Sequence, residues 1–117
     1  MESRFTPGEQ QLLIETLAQH AREMLHGIAR ANHREFKRML QLKMERTTRM
    51  QLRIAAGEFQ LEDDESDLLR EALEQGERAL CFEIARTDGR KFKHMLQRKL
   101  DMLLGVRSKL SAASKAA

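Results

Sequence analysis

The sequence predicts an all-α protein, an antiparallel four-helix bundle built from two αα-hairpins, and three observations carry that expectation. Helix-favouring residues dominate: hydrophobic residues make up 41% of the chain and aromatics only 4%, with one Pro in 117 residues, which leaves little material for strands. The second observation is an internal duplication. IARANHREFKRMLQLK (28–43) aligns with IARTDGRKFKHMLQRK (84–99) at ten identical positions of sixteen, an offset of 56 residues. It continues upstream without a gap, pairing Leu12, Leu13, Glu15, Leu17, Gln19 and Arg22 with Leu68, Leu69, Glu71, Leu73, Gln75 and Arg78. Thirdly, apolar residues recur at alternating steps of three and four, the spacing of one buried helical stripe.

The elements follow in order. Thr6-Pro7-Gly8-Glu9 offers a capping hydroxyl, Pro at the first helical position and Glu placed to close a capping box, so the first helix starts at Pro7. Its stripe is Ile14, Leu17, Ala21, Met24 and Ile28. The second helix carries Phe36, Leu40, Lys43, Thr47, Met50 and Ile54, matched in the fourth by Phe92, Leu96, Lys99, Leu103, Val106 and Leu110. Gly57 ends the first unit, and Glu58 to Ser66 form a polar connector in which Asp63, Asp64 and Ser66 are candidate caps for the third helix. Asp88-Gly89 is a strong helix break and Asn32-His33 a weaker one. Residues 1–117 thus form one domain with repeats at 6–56 and 62–112. An alternative architecture runs the helices through Asn32 and Asp88 as one long hairpin that buries its second face by dimerising, so monomer and homodimer are both open.

The formal charge is +3, but it is unevenly placed. Residues 33–56 hold seven Lys/Arg against two acids and 89–117 eight against one, whereas 57–88 hold eleven acids against three bases. The single cysteine, Cys81, makes no intramolecular disulfide and gives no sign of an oxidising compartment. Flanked by Leu80 and Phe82, it is expected to be a small core hydrophobe. With no apolar run of membrane-spanning length and no signal-peptide pattern, the protein is expected in the cytoplasm, without a membrane partner.

Catalysis is not expected. Glu23 and His26 have the Glu-x-x-His spacing of ferritin-like di-iron bundles, yet the matching positions in the other copy are Ala79 and Phe82. His20, His26, His33 and His94 are none of them repeated, and phosphate loops, nucleophile elbows and Cys-x-x-Cys pairs are missing. No catalytic residue, metal site or cofactor is assigned.

The candidate binding residues are two basic strips of identical composition: Arg30, Arg34, Lys37, Gln41 and Arg86, Arg90, Lys93, Gln97. Solvated basic faces of this kind usually carry no specific role, and the acidic stretch 57–88 of the same chain is expected to neutralise them. As functional surfaces they suit an acidic protein partner or, alternatively, the phosphates of a nucleic acid. Against nucleic acid, Phe36 and Phe92 fall on the core stripe, unavailable for base stacking. Lys43 and Lys99 sit in mid-stripe; their stems are expected to pack while the amines reach the bundle edge or pair with Glu77 on the seam of the third helix. A polar site inside the bundle is the functional alternative for these three. The expected function is that of a small non-enzymatic binding or regulatory protein, an adaptor, chaperone or inhibitor.

Overall fold

The computed structural model describes residues 5–116, with side chains through residue 110; residues 1–4 and 117, at the ends of the expected domain, lie outside it, as do the side chains of 111 and 112 that end the second repeat. Thr6 caps the first helix as the sequence requires. Its hydroxyl accepts from the Glu9 amide at 3.1 Å while the Glu9 carboxylate accepts from the Thr6 amide at 2.9 Å, and α1 runs Pro7–Arg30. The chain is extended at Ala31 and His33, so the weak break at Asn32-His33 is a real one, and α2 runs Arg34–Ala55. Gly57 (φ 89°) then takes the left-handed conformation that glycine adopts without steric cost. Its amide and that of Glu58 reach the Ile54 and Arg53 carbonyls at 2.9 Å each, the paired bonds of a Schellman stop.

α3 spans Asp63–Arg86 and α4 spans Arg90–Ala116, with the turn at Asp88-Gly89 between them. The cap of α3 differs from the expected Asp63, Asp64 or Ser66. Glu62 holds the cap position and forms a capping box with Glu65. These two are the counterparts of Thr6 and Glu9 across the 56-residue offset, so the duplication kept the geometry while changing the capping group. α1 packs on α2 and α3 on α4, giving a four-helix bundle of two hairpins.

The bundle is not a uniform rod. Its shared core lies at the end that holds the α2–α3 connector: Phe5, Leu12, Leu13, Leu17, Met50, Ile54, Leu68, Leu69, Ala72, Leu73, Leu103 and Val106 form one buried cluster. Met24, Ile28 and Leu96 are also buried but lie outside that cluster, filling the two arms separately. A 24-residue helix is about 36 Å long, and the molecule measures 44 × 41 × 24 Å. Two long dimensions mean that the hairpins splay apart towards their tips.

That splay overturns the placement of Phe36 and Phe92. Both were expected in the core, and both are 49% exposed. They do lie on the packing side of their helices, but above the level of Lys43 and Lys99 the opposite hairpin has moved away. Lower on the same stripe, Thr47, Met50, Ile54, Leu103 and Val106 are buried as expected.

Candidate functional site

The hairpins meet through contacts that come in pairs related by the duplication. Glu65 accepts from Arg53 Nη1 at 2.6 Å, and its counterpart Glu9 accepts from Lys109 Nζ, the counterpart of Arg53, at 2.7 Å. Lys43 reaches Glu71 at 3.3 Å, and Lys99 reaches Glu15, the counterpart of Glu71, at 3.7 Å. Arg46 binds Asp64, while at the matching place the Met102 methyl lies 3.9 Å from where a side chain on Gly8 would begin. An internal two-fold relation therefore holds in contacts as well as in sequence, the self-complementary interface of a symmetric dimer contained in one chain.

The two glutamates do double duty, closing a capping box and joining the hairpins. Glu9 is held below the ordinary carboxylate range chiefly by the Lys109 ammonium, then by the Thr6 amide. Burial pushes Glu65 upward, but the Glu62 amide and the Arg53 guanidinium outweigh it, and its carboxyl also titrates low.

The seam lysines follow the first of their two expected courses. Lys43 and Lys99 do bring their amines to the edge, with side chains 38% and 48% exposed, but neither pairs with Glu77. Glu77 instead accepts from Arg107 Nη1 at 2.6 Å, within the second hairpin. One copy also has a polar link that the other lacks. Buried His20 donates through Nδ1 to Gln75, lies 3.4 Å through Nε2 from Glu71, and Gln75 in turn donates to Glu23. The counterpart of His20 is Gly76, and a cleft of about 460 Å³ opens there, lined by Glu15, Gln19, Glu23, Glu83 and Lys99 among others. Among the described residues no group of three or more His, Cys, Asp or Glu is arranged to hold a metal. His26, the second half of the Glu-x-x-His spacing, is exposed.

Cys81 is exposed rather than in the core. It lies in the upper half of α3, where the arm is only two helices thick and has an outer face that nothing covers.

All eight strip residues are exposed and gathered around the two arm tips. Arg30 and Arg86 end α1 and α3; Arg34, Lys37, Gln41 and Arg90, Lys93, Gln97 begin α2 and α4. Among the described residues no acid of 57–88 forms an ion pair with a strip residue, so the expected neutralisation has no direct contact behind it. The acids of that segment take Lys43, Arg46, Arg53, Arg70 and Arg107, all outside the strips. Among the described residues, Arg86 is the one strip cation with a partner for its charge, its guanidinium 5.2 Å from the Phe82 ring centre. Apolar residues are exposed beside the strips: Phe36, Met39, Phe92 and Met95 on α2 and α4, Leu25 and Phe82 on α1 and α3.

On α2 and α4 the divergence of the copies maps onto this shape, whereas α1 and α3 share five of twelve residues in each half, 7–18 with 63–74 and 19–30 with 75–86. In α2 against α4, seven of the ten residues 34–43 are identical to their counterparts, whereas none of the twelve residues 44–55 is. The duplication has one age along the whole helix, so recency does not explain a boundary at Lys43. The boundary falls where the hairpins part, and the retained residues include Arg34, Phe36, Lys37, Met39 and Gln41, all exposed with their counterparts. Packing accounts for the buried residues below; it does not account for identical exposed ones above. Sequence reasoning selected the basic half of this surface and missed the apolar half, because Phe and Met at core spacing read as core.

Compared with protein-family models, curated proteins and solved structures, the chain matches none. Among the described residues no helix is long and apolar enough to cross a membrane.

Proposed function

We propose that this chain is a small non-enzymatic, cytoplasmic binding protein of the adaptor, chaperone or inhibitor kind, which engages another protein through the basic faces of α2 and α4 at its two arm tips. The observation that carries the reading is the identity of exposed residues between α2 and α4 above Lys43 and Lys99, which ends abruptly on those two helices where the hairpins meet. Unneutralised cations at both tips support an acidic partner, since complementary charge steers encounter and excludes wrong partners. The shared core below serves to hold the two arms in place.

The test is affinity capture from host lysate, with and without nuclease, using the parent chain and the variant Arg34→Glu with Arg90→Glu. A captured protein that survives nuclease and is lost with the variant is the expected result. Capture unaffected by the variant overturns the reading.

A second reading, single-stranded nucleic acid, gains from the exposure of Phe36 and Phe92. Basic grooves with accessible aromatics are the usual means of holding such strands. It requires binding to generic oligonucleotides that weakens steeply with salt and that is lost with the same double variant.

A further inference from the structure

We infer that the exposed Phe-Met stripe on each arm is a docking groove for an acidic amphipathic helix of a partner protein, and that one molecule carries two such grooves. This rests on the protein-binding reading above and names the partner's chemistry.

The stripe is Phe36, Met39, Lys43, Arg46, Met50 and Arg53 on α2, at alternating steps of three and four, and so on one face. Its lower half is already occupied, and by a helix of defined character. α3 lays an acidic face there, giving Glu71 to Lys43, Asp64 to Arg46 and Glu65 to Arg53, with Leu68 and Ala72 in the core behind. On α4 the equivalent stripe starts at Phe92, Met95 and Lys99, and α1 supplies Glu15 and Glu9 to its cations. Above Lys43 and Lys99 the same face continues with the same spacing, and no helix covers it.

The occupant follows from that continuity and from charge. A face whose lower half binds an acidic amphipathic helix offers its upper half to the same kind of ligand, with Phe36 and Met39 as the apolar anchors. A second copy of this chain is disfavoured at the tips. Residues 25–42 carry four Lys/Arg against one acid and 81–98 five against two, so tip would meet tip with like charge. The basic strips lie on another flank of α2 and α4, where they draw an acidic helix towards the arm without contacting its apolar face.

The experiment uses the full chain and a labelled peptide with the sequence of residues 62–78, stapled as a helix, which presents the chemistry that this face already accepts. Expected is saturation at two equivalent sites per chain. Phe36→Ala with Met39→Ala should remove one site and leave the other unchanged; adding Phe92→Ala with Met95→Ala should weaken binding by about tenfold or more. These residues are about half exposed, so the urea midpoint should fall by no more than the small losses expected at each, and a helical circular dichroism signal equal to that of the parent without urea excludes loss of folding as a cause. Equal binding of a scrambled peptide of the same composition, no binding of the parent peptide, or full binding by the fourfold variant overturns the inference. So does self-association, or binding of a dT20 oligonucleotide, that depends on Phe36 and Phe92. If Arg34→Glu with Arg90→Glu abolishes peptide binding while the fourfold alanine variant binds normally, the groove is refuted and the basic-face reading stands.

Discussion

The two glutamates that join the hairpins allow the internal symmetry to be tested as an energy. Glu65→Gln keeps the shape and still serves the capping box, which accepts Gln as well as Glu, but it removes the charge that Arg53 meets at 2.6 Å. The Glu65 side chain is 10% exposed, yet its partner is open to water, so the loss is put at about 1 kcal/mol, the upper end for surface pairs. Glu65→Ala also abandons the Glu62 amide and should cost about 2 kcal/mol in all. Glu9→Gln and Glu9→Ala should match these values, since Lys109 stands 2.7 Å from Glu9. Urea unfolding at neutral pH measures the differences. Acid gives the decisive comparison. Both carboxyls titrate below the ordinary value of 4.5 in the folded chain, so below that value the unfolded state takes up more protons than the folded one. The contribution is therefore complete above 4.5 and disappears as pH falls through the depressed folded values. The deficit of the Gln variants should shrink along the same path. Gln variants as stable as the parent at neutral pH, or a deficit undiminished in acid, would refute the role assigned to the pair.

Three further outcomes check the shape of the molecule. Phe36→Ala and Phe92→Ala should each cost about 1 kcal/mol or less, because half of each ring is already in water, whereas Leu13→Ala and Leu69→Ala in the shared core should cost about 2–5 kcal/mol by urea unfolding. Gly105→Ala should raise the melting temperature, by about 0.5–1 kcal/mol of helix propensity, since a methyl there meets nothing within 4 Å; Gly57→Ala should lower it, because φ is 89° there. Cys81 should react stoichiometrically with a thiol reagent in the folded state, at a rate close to that in denaturant; slow labelling that speeds up on unfolding would return it to the core.

Local signals were legible because local chemistry decides them. Thr6, Pro7 and Glu9 specify a helix start, Gly57 a stop and Asp88-Gly89 a turn, whatever the rest of the chain does. Asn32-His33 is weak by propensity alone, yet it breaks at the register of Asp88-Gly89, and the duplication held that information. Helical spacing also assigned the right face to Phe36 and Phe92. It carries no information on how far along that face the neighbouring hairpin extends, and the splay, a property of the whole assembly, put them in solvent. Cys81 is exposed for another reason: it shares a helix face with Arg70, Glu74 and Glu77, and its apolar neighbours Leu80 and Phe82 say nothing about that face. Of the two courses open to Lys43 and Lys99, reaching the edge and pairing with Glu77, the first occurs, and spacing within one helix could not choose between them because it does not say which helix lies opposite. A usable signal did exist: Glu9 and Glu65, Glu15 and Glu71, Lys43 and Lys99, and Arg53 and Lys109 keep their charge across the offset, as residues do when they meet each other across a two-fold interface.

The division between held and drifted residues also separates two demands on one helix. From residue 44 to 55 the stripe must fill space and meet an acid, and many residue sets satisfy that: Arg46 on Asp64 becomes Met102 over Gly8, and Thr47 becomes Leu103, with the hairpins still joined. Cores tolerate such exchanges when volume and pattern are kept. From 34 to 43 the arm packs against only its own hairpin, so fewer packing demands act on it, and drift should have been greater there. It was less. A demand from outside the chain, felt equally by both arms, is the simplest physical source of that reversal, and it implies that the arms meet the same kind of partner. Exchanging residues 34–43 and 90–99 between the arms should therefore leave binding unchanged, while replacing only the exposed residues of either segment, with Leu40, Lys43, Leu96 and Lys99 kept for their packing and ion pairs, by residues chosen for helix propensity should remove one site with little change in the urea midpoint.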